Sequence, residues 1–427
     1  MRAVPPDAAH EAPRMSAREF IVLIALVISI VAVSIDAMLP ALGIIGGEFR
    51  LSNPNHAQYV IAIFFAGLAV GQLVCGPVSD AMGRKAVLFA GTLVYLAGSA
   101  ICFVSNTFEM LLIGRLVQGL GVAGPYVTAV SVVRDKFSGR EMAQIMSVVM
   151  MFFILVPALA PSMGQGIMLI ASWRYIFVMY VAYATLICLW IAFRLEETLP
   201  PERRIPLSGA NMVHGFMEII RNRTTMSYML CNGISFGAFT GYLNSSQQIF
   251  HEYYSTGKMF SIYFGLLALV LGIASLMNSR FVQRYGMRPI CLYATFSIVA
   301  ASAVFFALNV WMTHVPLWIF LTYAATIFFG FGLMFGNLNA VAMEPMGKIA
   351  GIAAALIGSA ASMISLVLGA VIGQLYNNTL LPMTAGFLIL CSLSYAIMRW
   401  ENQTRRTDDE DEAERGIDEE ENAVALH

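Results

Sequence analysis

The chain has 427 residues, of which 58% are hydrophobic and 12% charged, and its mean hydropathy is +0.73. Soluble domains carry about 25% charged residues, so the composition excludes an ordinary soluble enzyme and indicates a polytopic membrane protein. A net charge of −1 offers no basic footprint for nucleic acid.

Residues 1–17 are polar, rich in Pro and Ala, and read as an N-terminal tail. The apolar run that follows is too long for a signal-peptide core and contains Asp36, so it is a span. Twelve apolar segments follow in order, at 18–44, 57–79, 86–105, 108–132, 142–166, 173–194, 225–248, 260–280, 288–308, 315–340, 350–374 and 380–400. Long apolar runs without period-two alternation are helices, because lipid offers the backbone no other hydrogen-bond partner. The expected fold class is therefore an all-α membrane protein of twelve transmembrane helices in two six-helix halves, 18–194 and 225–400.

Between the halves, 195–224 contains Pro200, Pro201, Pro206 and Gly209. Within it, Met212, Val213, Phe216, Met217, Ile219 and Ile220 recur at helical spacing between His214, Glu218 and Arg221, which predicts an amphipathic helix on the membrane surface. The tail 401–427 is strongly acidic and reads as solvated and disordered. All but four of the 25 Lys and Arg fall on one side of this topology, the exceptions being Arg50, Arg115, Arg174 and Lys258. That asymmetry places both termini in the cytoplasm.

The six cysteines lie in apolar segments with no metal-ligand spacing, and the six histidines lie in loops or near span ends. No metal, cofactor or catalytic constellation is expected, and no phosphate-binding loop for ATP is present, so an ion or substrate gradient supplies the energy.

Two ionisable groups stand alone inside spans: Asp36 in the first and Arg115 in the fourth. Such groups are costly in lipid, at least ~2.5–3.5 kcal/mol on insertion scales, and mark functional sites by default. Each lies eight residues from the outer end of its span, about 12 Å deep at ~1.5 Å per residue. The expectation is an internal pair on a polar path, with Asp36 carrying an exchanged proton or meeting a drug cation. A permanent structural pair is the competing reading.

The segment Gly76-Pro77-Val78-Ser79-Asp80-Ala81-Met82-Gly83-Arg84-Lys85 closes the second span. It resembles the signature loop of the major facilitator superfamily. The stretch 278–288 resembles a decayed copy, with Gln283 where Asp80 aligns. Ser34-Ile35-Asp36-Ala37-Met38-Leu39-Pro40, Gly114-Arg115-Leu116-Val117-Gln118-Gly119, and Val156-Pro157-Ala158-Leu159-Ala160-Pro161-Ser162-Met163-Gly164-Gln165-Gly166 are similar to the helix motifs of drug:proton antiporters. With Trp173-Arg174-Tyr175-Ile176-Phe177 and Glu196-Glu197-Thr198-Leu199-Pro200-Pro201-Glu202-Arg203, the pattern most resembles the bicyclomycin-resistance (Bcr/CflA) group. Gly43 stands where that group often has Pro, and Gln165 where it often has Gly.

The resemblance implies a cytoplasmic latch of Gly76, Asp80, Gly83, Arg84, Lys85 and Asp135. It also implies a kinked antiporter helix, through Pro157, Pro161, Gly164 and Gly166, that seals the outer side against proton leak. From their polarity or ring character, Gln58, Tyr59, Phe65, Tyr126, Asn232, Asn244, Gln247, Asn337 and Asn339 are candidates for the cavity wall. Each taken singly also suits helix–helix glue. The expected function is a monomeric bacterial inner-membrane multidrug efflux antiporter, driven by the proton gradient. It would export small amphipathic compounds, with drugs or metabolites, protons and lipids as its partners. The alternative is a carrier of the same fold for one metabolite. Substrate breadth separates the two.

Overall fold

The computed structural model describes residues 15–137, 139–204, 206–207 and 209–425. Among these there are helices and no strands. The first half comprises α1 (Ala17–Asp36), the short α2 (Leu42–Glu48), α3 (Tyr59–Met82), α4 (Arg84–Phe103), α5 (Phe108–Lys136), α6 (Gly139–Ile170) and α7 (Tyr175–Arg194). The short α8 (Gly209–Arg221) follows. The second half comprises α9 (Arg223–Gln248), α10 (Phe260–Tyr285), α11 (Met287–Trp311), α12 (Leu317–Met343), α13 (Ala350–Gln374) and α14 (Leu381–Ala425).

With α1 and α2 taken as one broken span, twelve long helices occupy the twelve expected positions. Ten of them are long and apolar enough to cross a membrane. The other two are α6, apolar over Val156–Ile170, and α9, which carries many Ser, Thr, Asn and Gln. In α9 most residues are buried within the bundle, which is where such polar side chains find partners.

The first span departs from a continuous helix. It stops at Asp36, passes through a turn and a 3-10 segment at Leu39–Ala41, and resumes as α2. Pro40 is the physical reason: it has no N–H to donate, and its ring collides with the carbonyl of residue 36 in a continuous helix. The last helix departs the other way. Helical backbone continues from Leu381 to Ala425, through the tail expected to be disordered. That stretch is rich in Glu and Ala, which are good helix formers, and contains no Pro.

Small residues set the close packing. A β-carbon at Gly119 of α5 would overlap the Phe64 carbonyl of α3, and one at Gly67 would overlap the Leu116 carbonyl. In the second half, Gly332 sits likewise on the Leu271 carbonyl, while its GxxxG partner Gly336 has nothing within 4 Å. The halves meet along α3 against α13 and α6 against α10. In α8, Ile219 is buried and Gly215 packs on Ile352, while Val213, Phe216, Met217 and Ile220 are exposed, so the helix is amphipathic. The Met212 side chain lies outside the described residues.

Candidate functional site

The break in α1 creates the central site. Where the helix ends, Met38 donates to the Ile35 carbonyl, so the Ser34 carbonyl loses its ordinary donor four residues on. Two side chains replace it: Arg115 Nη2 at 3.0 Å and the Tyr180 hydroxyl at 3.2 Å. The same guanidinium donates through Nε to the Val60 carbonyl at 2.9 Å and through Nη1 to Gln118 Oε1 at 2.8 Å. It also stacks over Phe64, 4.4 Å from the ring centroid. Arg115 is fully buried and ties α1, α3 and α5 together at the C-terminal, negative end of a helix.

The expected Asp36–Arg115 pair is therefore not formed. Every recorded polar contact of Arg115 goes to a carbonyl or amide oxygen, and among the described residues the Asp36 carboxylate has no ion pair or hydrogen bond. Equal depth in the membrane did not make the two side chains face each other.

Asp36 instead lines a cavity of about 220 Å³ between the halves. Val31, Ala32, Ile35, Phe65, Leu68, Gln72, Tyr126 and Pro157 line it from the first half. Phe236, Phe239, Leu243, Phe264, Phe328, Phe335 and Ser362 are among those lining it from the second. Phe65 meets Phe236 across the boundary, ring centroids 6.0 Å apart, and Phe236 in turn meets Phe335 of its own half at 5.4 Å. Ser362 donates to Gln72 Oε1 at 3.1 Å, a polar link between the halves in the cavity wall. Charge on a carboxylate buried among apolar groups is costly unless compensated. Asp36, only 5% exposed, thus calls for a proton or a cationic ligand. The Tyr242 hydroxyl of α9 is buried and has no hydrogen-bond partner.

At the basic end of the bundle, Gly83 adopts φ +101° and turns the chain from α3 into α4. Arg84, 3% exposed, then bridges Asp80 at 2.5 Å and Asp135 of α5 at 2.7 Å, with Ser79 at 3.1 Å. Thr198 donates to Asp135 at 3.2 Å. Glu197 accepts from the backbone N–H groups of Arg84 and Lys85, both at 3.0 Å, capping α4 from a loop the sequence left without a role. Burial alone works to raise the Glu197 pKa, but the N–H donors of Leu199, Lys85 and Arg84 outweigh it and hold the carboxyl below its ordinary value. Lys85 donates to the Ala192 carbonyl at 3.2 Å. The other half touches this cluster through Ala355, against Gly76, and through Gly351, beside Asp80. The corresponding turn of the second half has Gly286 at φ +79°, and there Arg288 pairs with Glu344 at 3.1 Å.

The α6 residues separate. A β-carbon at Gly164 would overlap the Ala37 carbonyl, immediately after Asp36. Pro157 lines the cavity, and the Pro161 carbonyl accepts from Ser261 of α10 at 3.2 Å. Gly166 has nothing within 4 Å.

Of the cavity-wall candidates, Phe65 and Tyr126 line the Asp36 cavity. Gln58, Asn244 and Gln247 line a separate polar cavity nearer the opposite end. Asn337 is paired with Asn278 at 2.8 Å, Asn339 is exposed, and Tyr59 stacks on His56. Asn232 lines neither cavity. Sequence reasoning missed Gln72, Ser362, Tyr242 and the Phe cluster. Gln72 carried the same signal as Gln58, a lone amide inside a span, and Phe328, Phe331 and Phe335 recur at helical spacing.

Residues 22–370 match the family model described as Major Facilitator Superfamily. An uncharacterized MFS-type transporter of Bacillus subtilis (strain 168) is 30% identical over 358 residues, 82% of this chain and 87% of that protein. A bicyclomycin resistance protein homolog of Haemophilus influenzae is 27% identical over 87% of this chain and 94% of its own. The multidrug resistance protein MdtL of Klebsiella pneumoniae (strain 342) is 28% identical over 79% and 85%. Among solved structures, the xylose transporter XylE from E. coli, in a partially occluded inward open conformation, superposes with a TM-score of 0.70 at 11% identity, covering 91% of this chain and 99% of its own.

Proposed function

The chain belongs to the major facilitator superfamily, and on that premise we propose that it is a proton-coupled exporter of small amphipathic compounds. The carrying observation is Asp36: an uncompensated acid in an aromatic cavity whose walls come from both halves. Relatives named for multidrug and bicyclomycin resistance support the same reading. The basic end faces the cytoplasm, the membrane is the bacterial inner membrane, and the working unit is a monomer.

In this reading, Asp36 takes a proton when the cavity opens outward and gives it up when the cavity opens inward. Protonation removes the charge that a dry cavity penalises and so permits the closed, substrate-free return. An ionised Asp36 holds the polar head of a substrate, while the Phe faces hold its apolar body. Arg115 acts as a positioning residue: it fixes the end of α1 through the Ser34 carbonyl and so holds Asp36 in place. Rocking of the halves exchanges access.

A second reading, one small metabolite rather than many drugs, is favoured by the cavity size. About 220 Å³ is below the ~300–1,000 Å³ usual for drug-sized ligands.

The test is proton release from inverted vesicles holding an acid interior, with a panel of amphipathic antibiotics and with Asp36→Asn as comparison. Release that several compounds trigger and the variant lacks is the expected result. Release that survives in the variant moves the proton site elsewhere. Silence toward every compound, in folded protein, turns the assignment to the single-metabolite carrier.

A further inference from the structure

At the end of the bundle opposite the basic loops, a second cavity of about 300 Å³ lies between α2, the start of α3 and the end of α9. Gln58, Asn244, Gln247, Gln248 and Glu252 supply its polar wall. A hydrogen-bond chain fixes how these amides face. Asn55 donates from Nδ2 to the carbonyls of Gln374 and Tyr376, at 3.0 and 2.8 Å, so its Oδ1 is an acceptor. Gln248 Nε2 donates to that Oδ1 at 2.9 Å, which turns Gln248 Oε1 to accept from Gln58 Nε2 at 2.6 Å. Gln58 Oε1 is then left buried with no donor. Asn244 is fixed independently: its Nδ2 donates to the Gly369 carbonyl at 3.1 Å, leaving Oδ1 buried with no donor. Gly373 abuts both side chains, which sets them side by side.

Both oxygens are shut off from the cavity space, Gln58 Oε1 lying against Gly373 of α13, so other atoms of these residues, with Gln247, Gln248 and Glu252, form the polar wall. A cavity of this size with several polar partners suits water. It also leads to the surface. Gln247 and Glu252 line an adjoining, more open recess with Pro40, Ile44 and His251. Inward, Leu243 faces the Asp36 cavity, and the next residue, Asn244, faces this one. Gly43 lies beside Gln247, where a β-carbon would come 2.8 Å from the amide nitrogen at the movable end of that side chain. A π-helical turn at Ile249–Tyr253 presents Glu252 and His251 at the mouth; such turns are rare and frequent at functional sites.

We propose that this cavity is a hydrated proton-access vestibule, in which Glu252 collects protons at the surface and water along the polar wall of Gln247 and Gln248 passes them toward Asp36. The inference rests on the proton-coupled reading above. The transfer is balanced: a proton from bulk water goes to the Glu252 carboxylate, then to vestibule water, then to the Asp36 carboxylate, and Glu252 is left ionised for the next proton. Partial burial holds the Glu252 carboxyl above its ordinary value, so it retains a proton to higher pH than a free surface acid. The titratable groups acting on it are His251, beside it on the same turn, and Tyr376, at the end of α13.

Two measurements on the full chain test this. Gln247→Cys is treated with 2-aminoethyl methanethiosulfonate and weighed, with the wild-type protein and its native cysteines as background. One additional adduct is expected, and a position 247 that stays unlabelled overturns the hydrated vestibule. Glu252→Gln is then assayed for substrate-driven proton release. Its initial rate should fall several-fold and lose pH dependence in the acid range, with substrate binding unchanged. A variant with wild-type rate and pH profile overturns the access role while leaving proton coupling intact. A wild type that releases no protons with any compound removes proton coupling itself, and the role of Glu252 falls with it.

Discussion

The carbonyl oxygen of Ala37 occupies the space that a side chain on Gly164 would need. The α6 backbone can therefore lie against the break in α1, one residue past Asp36. Gly164→Ala must push the two helices apart, an overpacking cost of about 1–3 kcal/mol. Melting temperature and export should both drop. Gly166→Ala, with open space around it, should leave both unchanged. Equal effects of the two substitutions, read by thermal melting and vesicle transport, would sink this account.

Arg115 and Asp36 should separate in their phenotypes. Arg115→Gln strips donors from the buried carbonyls of Ser34 and Val60, a loss of about 2–4 kcal/mol. Arg115→Lys should rescue little, because one ammonium cannot serve three acceptors in different directions. Asp36→Asn should melt at the wild-type temperature or above it and lose exchange. Thermal melting of the three purified variants checks this, and an unstable Asp36→Asn would count against it.

Tyr242→Phe removes a hydroxyl that has no hydrogen-bond partner and keeps the ring packed against Phe264 and Phe328. Stability should be unchanged within about 0.5 kcal/mol. The pH at which exchange is half-maximal should move if the hydroxyl acts on Asp36. An unmoved pH profile would reduce Tyr242 to packing.

Arg84→Gln removes the guanidinium that bridges Asp80 and Asp135. The cost is up to about 3–5 kcal/mol, as for other broken buried pairs. The double variant Arg84→Gln, Asp135→Asn should recover part of that loss, which a double-mutant cycle in thermal melting measures. Absence of coupling between the two sites would contradict the bridge.

Glu197 gives a signed pH dependence. Its folded pKa is below its unfolded value, so its stabilising contribution is present above the ordinary carboxylate range and fades as pH falls through the lowered value. The wild type should lose more stability than Glu197→Gln as the solution is acidified through that range. Parallel melting curves for the two across acid pH would refute the capping role.

Span positions, the two halves and the basic end were legible in the sequence because each depends on local chemistry. A run of apolar residues needs lipid, and a Gly-Arg-Lys loop turns at a membrane surface. The amphipathic face of α8 was legible for the same reason, from spacing alone. Asp36 was legible as an acid deep within an apolar run, eight residues from its outer end.

What Asp36 faces was not legible. Counting residues gave Asp36 and Arg115 the same depth, but depth does not fix rotation about the helix axis. The break at Pro40 left the Ser34 carbonyl as the better-placed acceptor. Gln58, Asn244 and Gln247 carried the same signal as Gln72, yet only Gln72 reaches the central cavity. The sequence by itself determined which side chains must avoid lipid. Only the tertiary structure decided which of them meet, because partners across the two halves are set by helix rotation and by the small residues that let backbones approach, quantities that no single segment contains.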